Sequence, residues 1–449
     1  MSYTITRFKG ALTVLADTLF ATCLLLKELV RPPTRLLDRE GDRRMLLLVT
    51  SFPPDISGGV YRPASFARYA PDSDWEVTVI TLPTPENETQ AGSTMRDYAG
   101  KLVRVLFTPR HPLRPSYKLF PSVDGGMMEA LDMVRSVRNA FGADIPKTIV
   151  ASGPSFSTFI AAWFLARSSR IRLVLEYRDE WSQCPFDFVQ KSERDLQWEL
   201  RCLGRADLIV LMTHSHKNQL EHAFPQLPLG KCEVIENGWE PVLQPQEEGA
   251  APVQTRDLDL FHLTFAGMLG GSADPRGFLS CLARVLVRRP DLHSKVRVRF
   301  VGKKSAEALI ALSGFPFPDV ILSLDLVPLT EAKRLMRDSA AVLLLHSSSF
   351  GRYIPGKFYE YAASGATILL VDDIGECSQL IERLGFGRNL DSRDDHALEL
   401  MLDELSAGQR IGRNLNANPT VEQQEWLLVH TRESLARRFF GLLDRLTTK

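Results

Sequence analysis

Cysteine is sparse and scattered in this 449-residue chain: Cys23, Cys184, Cys202, Cys232, Cys281 and Cys377 never fall in a Cys-x-x-Cys spacing. That argues against a zinc framework and a disulfide-stapled scaffold, and it suits a reducing compartment. Excess charge is lacking too. Lys+Arg and Asp+Glu are both 54, so nothing points to wholesale nucleic-acid binding. No Gly-x-Gly-x-x-Gly follows a strand pattern, which leaves nicotinamide and flavin cofactors unindicated. Short-period repeats and low-complexity tracts are absent. The apolar stretch at 10–26 is short for a bilayer span, and Asp17 at its middle would cost roughly 2.5 to 3.5 kcal/mol there. It is followed by no small-x-small cleavage site, so a secretory signal is not expected.

What is present is a 44% hydrophobic chain, long enough for two domains with sizeable cores. Apolar runs without alternation, as in parallel strands covered on both faces, recur at 45–50, 76–81, 102–107, 148–151, 173–176 and 208–212. Amphipathic stretches such as 127–141 and 157–167 lie between them. The segment 83–121 is rich in Pro, Asn and Gly and reads as a surface excursion, and 241–254 as a linker. Runs then resume at 260–266, 296–301, 320–324, 341–345 and 366–371. The fold class expected is α/β: two Rossmann-like doubly wound domains, 44–240 and 255–415, facing a cleft. Residues 420–446 read as one long charged helix packing back towards the first domain.

Residues 1–43 form a separate segment. Phe8, Leu12, Leu15, Leu19, Leu26 and Val30 fall on one helical stripe, with Arg7 and Lys9 before the apolar run and Lys27, Arg31 and Arg35 after it. A helix lying in a membrane interface is the preferred reading; a helix docked on the protein's own core and a true span are the alternatives.

The stretch around which the chain is organised is 351–365, Gly-Arg-Tyr-Ile-Pro-Gly-Lys-Phe-Tyr-Glu-Tyr-Ala-Ala-Ser-Gly. It lies between two strand patterns, with Pro355 suited to a helix's first turn and Gly365 to its end. A helix start after a parallel strand is a site for a diphosphate. Lys357 could neutralise phosphate and Glu360 could accept from sugar hydroxyls, although a Lys and Glu at this spacing can also be a plain surface ion pair. Gly58 and Gly59 after the first strand would let backbone approach a ligand, or simply make a turn. Arg178 and Asp179 at a strand end could be ligand contacts or a structural ion pair. His214, His216 and His222 fall at helical spacing, and no metal is expected there. The Asp-x-Asp pairs Asp72/Asp74 and Asp257/Asp259 precede strands and read as solvated turns.

The run Ile354 to Gly365 resembles the motif Ile-Pro-Gly-Lys-(Leu/Phe)-x-Glu-Tyr-x-Ala-x-Gly of the GT-B glycosyltransferases of family 4, in their bacterial polysaccharide branch. Pro53-Pro54 with Gly58, Gly59 and Arg62 resembles the family's loop beside the donor phosphates and acceptor. Arg178-Asp179 with Trp181 is similar to the branch's Arg-Asp-x-Trp. The resemblance implies a retaining, metal-independent transfer of a sugar from a nucleotide diphosphate donor to a polysaccharide or lipid-linked acceptor. No cofactor or metal is implied. A nucleotide-sugar 2-epimerase of the same fold and a non-catalytic partner are the alternatives. Donor-binding positions carried over are Gly58, Gly59, Arg62, Gly267, Gly302, Lys303, Val327, Pro355, Gly356 and Glu360. Glu360, Lys357, Arg352 and Asp179 are the catalytic candidates. Three departures stand out: Met268 where strong donor binders have Arg, Arg352 where the wider family has its first Glu, and no His in Ser152-Gly-Pro-Ser155. An acidic donor sugar would suit Arg352. The expected location is the cytoplasm, at the inner face of the cell membrane, with no nucleic-acid partner.

Overall fold

In a computed structural model, the chain is described at residues 2–33, 36, 37, 39, 41–83, 90–100, 103–113, 115, 126–186, 192–228, 230–241, 260–346, 350–408 and 419–447. Nearly all of the expected linker, much of the 83–121 excursion and the pair Asp257/Asp259 lie outside the described residues. The chain divides into two compact units, Met1–Glu236 with Ala436–Lys449, and Asn237–Leu435.

The first unit is built on a seven-stranded parallel sheet, ordered β3-β2-β1-β4-β5-β6-β7. Its strands are β1 (Arg44–Leu48), β2 (Glu76–Thr81), β3 (Arg104–Phe107), β4 (Thr148–Gly153), β5 (Arg172–Tyr177), β6 (Leu208–Leu211) and β7 (Cys232–Val234). Central strands such as β4 and β6 are buried at every residue, which is why they read as unbroken apolar runs. The last strand escaped the sequence reading. Cys-Glu-Val at the sheet edge is short and half polar, and leaves no run to detect.

The second unit carries a six-stranded parallel sheet, ordered β10-β9-β8-β11-β12-β13. Here β8 is Phe261–Ala266, β9 Val296–Val301, β10 Ile321–Leu324, β11 Ala341–Leu345, β12 Thr367–Val371 and β13 Gly387–Leu390. The edge strand β13 was missed for the same reason as β7. In both sheets the strand order reverses beside the first strand, as in doubly wound folds, and ligands of such sheets bind at the carboxyl ends of the strands.

Two expectations about helices need correction. Residues 420–446 are not one helix but two, Val421–Val429 and Arg432–Thr447. The break is used: Trp239 donates its amide to the His430 carbonyl at 3.1 Å and its carbonyl accepts from the Arg432 amide at 2.9 Å. A continuous helix would have spent those groups on itself. Gly238 is required beside this pairing, because a Cβ there would lie 2.5 Å from the His430 carbonyl oxygen.

The amino-terminal helix, Ser2–Val30, uses two faces. Ala21 and Leu25 are buried, and Leu24 and Leu29 pack on the core of the first unit. Glu28 pairs with Arg138 on the helix Met127–Phe141, and Arg167 donates to the Leu29 carbonyl at 2.7 Å. On the other side Leu12, Leu15, Leu19, Leu26 and Val30 are exposed, together with Cys23. Docking on the protein's own core and an outward apolar stripe, taken as alternatives from the sequence, therefore coexist on opposite faces. No helix among the described residues is long and apolar enough to cross a membrane.

Candidate functional site

At the strand ends of the first unit, the predicted residues are tied largely to one another. Arg62, in the first turn of the helix Tyr61–Tyr69, is buried. Its Nε meets Glu176 Oε1 at 2.5 Å, and its two Nη atoms donate to the carbonyls of Glu236 and Ile235 at 2.6 and 2.8 Å. The second Glu176 oxygen accepts from the Ser152 hydroxyl. Three of its five N–H donors are thus taken by the chain's own groups. Glu176, which the sequence reading passed over as part of a strand, is what holds it.

Gly59 also has an internal reason. Arg178 donates through Nη1 to the Gly59 carbonyl at 2.8 Å and through Nη2 to that of Pro154. A Cβ on Gly59 would stand 2.2 Å from Arg178 Nη1. The pair thus ties together the loops that follow β1, β4 and β5. Gly58 is exposed with open space around it, and Asp179 is half-buried beside Arg178. Arg178 and Asp179 are therefore not simply each other's ion pair, since the guanidinium is spent on backbone. Trp181 is buried, and its indole N–H donates to Asp195 at 3.1 Å. Nearby, burial pushes the Glu199 carboxyl up to about 7, and it accepts from the Tyr177 hydroxyl at 3.0 Å and the Ser182 amide at 2.9 Å.

The second unit assembles a different kind of site. Gly267 follows β8 with φ +131°, and Gly302 follows β9 with φ +117°. A Cβ on Gly302 would be 2.4 Å from the Gly267 carbonyl oxygen, so the two backbones meet where no other residue fits. The motif helix, Gly356–Ser364, starts after Pro355 with no side-chain cap and stops at Gly365, whose φ of 75° is left-handed. Pro355 is its N-cap residue, one position earlier than expected. Tyr361 fixes the helix to β8: its hydroxyl accepts from the Ala266 amide at 2.9 Å and donates to the Ala266 carbonyl at 3.1 Å.

Lys357, in the first turn, crosses to the end of β8. Its Nζ lies 4.1 Å from the centre of the Phe265 ring, and a Cβ on Gly267 would come within 3.2 Å of it. Among the described residues no carboxylate or hydrogen-bond acceptor meets this ammonium, and burial lowers its pKa to about 8. The surface ion pair with Glu360 does not form. Glu360 sits instead between Lys333, at 2.9 Å, and Arg432, at 3.1 Å. Lys333 comes from the helix Leu329–Arg337 and is buried. Neither partner is legible from local pattern, because both are remote in the chain.

The remaining positions are more open. Lys303 is exposed, whereas Lys304 folds back onto the carbonyls of Gly302 and Leu324 at 2.7 and 2.5 Å. Val327 and Pro328 form the approach to the helix Leu329–Arg337. Gly356 is exposed, Arg352 half-buried, and Met268 exposed. Thus Gly267, Gly302, Lys357 and the start of the motif helix converge at one sheet end, and Lys303 follows Gly302 directly. Gly58, Gly59, Arg62 and Asp179 belong to the other unit. Among the described residues no cluster of His, Cys, Asp and Glu could hold a metal ion.

No family model matches the chain, and no curated protein does. Solved structures do. A sucrose-phosphate synthase from Thermosynechococcus elongatus aligns with a TM-score of 0.65 at 13% identity, over 90% of this chain and 99% of its own. Anabaena HepE, solved in complex with UDP and glucose, aligns with a TM-score of 0.61 at 16% identity, over 90% of this chain and 100% of its own. A Listeria monocytogenes protein described as a UDP-N-acetylglucosamine 2-epimerase aligns at 0.50 with 10% identity, over 89% and 95%. At these identities the likeness establishes the fold: two Rossmann-like α/β domains in one chain, the GT-B class.

Proposed function

We propose that the chain is a glycosyltransferase of the family-4 type, taking a sugar from a nucleotide diphosphate donor held on the second unit. The acceptor is a growing polysaccharide or a lipid-linked oligosaccharide, and the transfer is retaining. Lys357 carries this reading. A cation that meets no counter-ion among the described residues, set over a glycine at the end of a parallel strand and in the first turn of an uncapped helix, fits the diphosphate of a donor. As the sugar leaves, negative charge grows on the diphosphate, and an ammonium already fixed there stabilises it without reorganisation. Lys303 is the second cation in reach of this role, so the diphosphate is met by lysines and amides rather than by a metal. Glu360 would accept from ribose hydroxyls, its position set by Lys333 and Arg432.

The GT-B likenesses to a sucrose-phosphate synthase and to HepE with UDP and glucose support the choice of donor class. The outward stripe of Leu12, Leu15, Leu19, Leu26 and Val30 supports contact with a membrane surface, at the cytoplasmic face where a lipid-linked acceptor would lie. The epimerase likeness favours a second reading, a nucleotide-sugar 2-epimerase. The test is thermal shift of the purified protein with UDP, GDP, CDP, ADP and TDP, with and without EDTA. A nucleotide at 100 times its dissociation constant adds about 2.7 kcal/mol of stability. Stabilisation by one of them, insensitive to EDTA and lost in Lys357→Ala, supports the donor site. No shift with any nucleotide at millimolar concentration overturns it. An epimerised sugar as product selects the second reading.

A further inference from the structure

The loops that leave β11 and β12 carry a buried acid–base pair that plays no part in the reading above. His346 is the first residue past β11, and Asp373 the second past β12; both are buried. His346 Nδ1 is hydrogen-bonded to Asp373 Oδ2. The other carboxylate oxygen accepts from the Gly375 amide at 2.5 Å, and the Asp373 carbonyl accepts from the Asn389 side chain, also at 2.5 Å. Asp373 is therefore held from β13 and from its own loop, and it holds the imidazole.

A second tie lies alongside. The Glu376 amide donates to the Gly351 carbonyl at 2.9 Å. The loops approach so closely that a Cβ on Gly375 would stand 2.0 Å from that carbonyl oxygen. A third runs through rings: the imidazole lies 5.7 Å from the Phe350 ring, which lies 6.3 Å from that of Tyr353. The Tyr353 amide in turn bonds the Phe350 carbonyl at 2.8 Å. The second and third of these ties fall on 350–353, the turn that carries Arg352 and runs directly into Pro355 and the motif helix, and the first holds the imidazole and the loop they start from. The helix body is fixed separately, by burial of Phe358, Tyr359 and Tyr361.

We propose that His346 and Asp373 are positioning residues that fix the turn 350–355, and with it Arg352, at the entrance to the motif helix. That this turn faces the sugar of the donor rests on the proposed function. The fixing itself does not. The test is amide hydrogen exchange by mass spectrometry on full-length protein, comparing wild type with His346→Ala, His346→Asn and Asp373→Ala. Asparagine can place an N–H where Nδ1 stands, so it can keep the bond to Asp373 while losing the rest of the ring.

His346→Ala is expected to speed exchange of 350–357 at least tenfold while the strands keep their protection, with His346→Asn within threefold of wild type. Asp373→Ala, which removes the other half of the pair, should speed the same amides even if His346→Ala does not fold. Unchanged exchange of 350–357 in both folded alanine variants overturns the proposal, as does an asparagine variant as fast as alanine. UDP and the other nucleoside diphosphates are then titrated onto each variant. If none stabilises wild type while the exchange pattern holds, the donor reading falls and the positioning role stands.

Discussion

Burial lowers the Lys357 ammonium to a pKa of about 8, so between pH 8 and the ordinary lysine value the unfolded chain holds a proton that the folded chain has released. Unfolding then takes up a proton, and the stability of the ligand-free protein rises with pH across that window. Below pH 8 both states are protonated and the buried charge weighs on the fold at a constant level. Lys357→Met should therefore raise the ligand-free melting temperature at pH 7 and flatten its rise above pH 8, while abolishing any shift with a nucleoside diphosphate. In wild type the nucleotide shift should shrink above pH 8, because the ammonium must be restored to meet the phosphate. Arg62 argues in the opposite direction. Removing it leaves Glu176 buried without its cation, so Arg62→Ala should cost about 3 to 5 kcal/mol in denaturant unfolding. An Arg62 that chiefly served a ligand would cost little stability.

Elements, more than residues, were legible in the sequence. A run of apolar residues bounded by turn residues is all that a buried parallel strand needs, and the central strands announced themselves in that way. The edge strands β7 and β13 have one free side, tolerate Glu233, Arg388 and Asn389, and leave no such mark. The motif helix was legible because Pro355 and Gly365 bracket it. Its partners were not: what Glu360 touches depends on Lys333 and Arg432, from helices whose packing no local pattern encodes. Nor does sequence distinguish a glycine that serves a ligand from one that serves the chain itself. Gly59 makes room for the Arg178 side chain and Gly302 for the Gly267 backbone, and neither need shows in the local sequence. Gly302→Ala combines a left-handed φ with a backbone clash, and should destabilise by about 1 to 3 kcal/mol while weakening nucleotide binding, measured by thermal shift.

At the scale of the molecule, the amino-terminal helix leaves an outward apolar stripe on the first unit. Replacing Leu15 and Leu19 by Glu removes apolar area without disturbing the docked side, where Ala21 and Leu25 lie. The double variant should keep the wild-type melting temperature and lose flotation with vesicles of anionic phospholipid. Ala21→Glu should instead lower the melting temperature, because it buries an unpaired charge against the core.

The distribution of thiols has a practical corollary. Cys23 is exposed on the outward stripe between Leu19 and Leu26, while the other five cysteines are buried. The native chain thus offers one reactive handle, already at the place of interest. A maleimide dye of polarity-sensitive emission should label it at close to one dye per chain. Its emission should shift to the blue on adding vesicles and stay unchanged on adding nucleotide, so that membrane contact can be followed by itself without engineering a label.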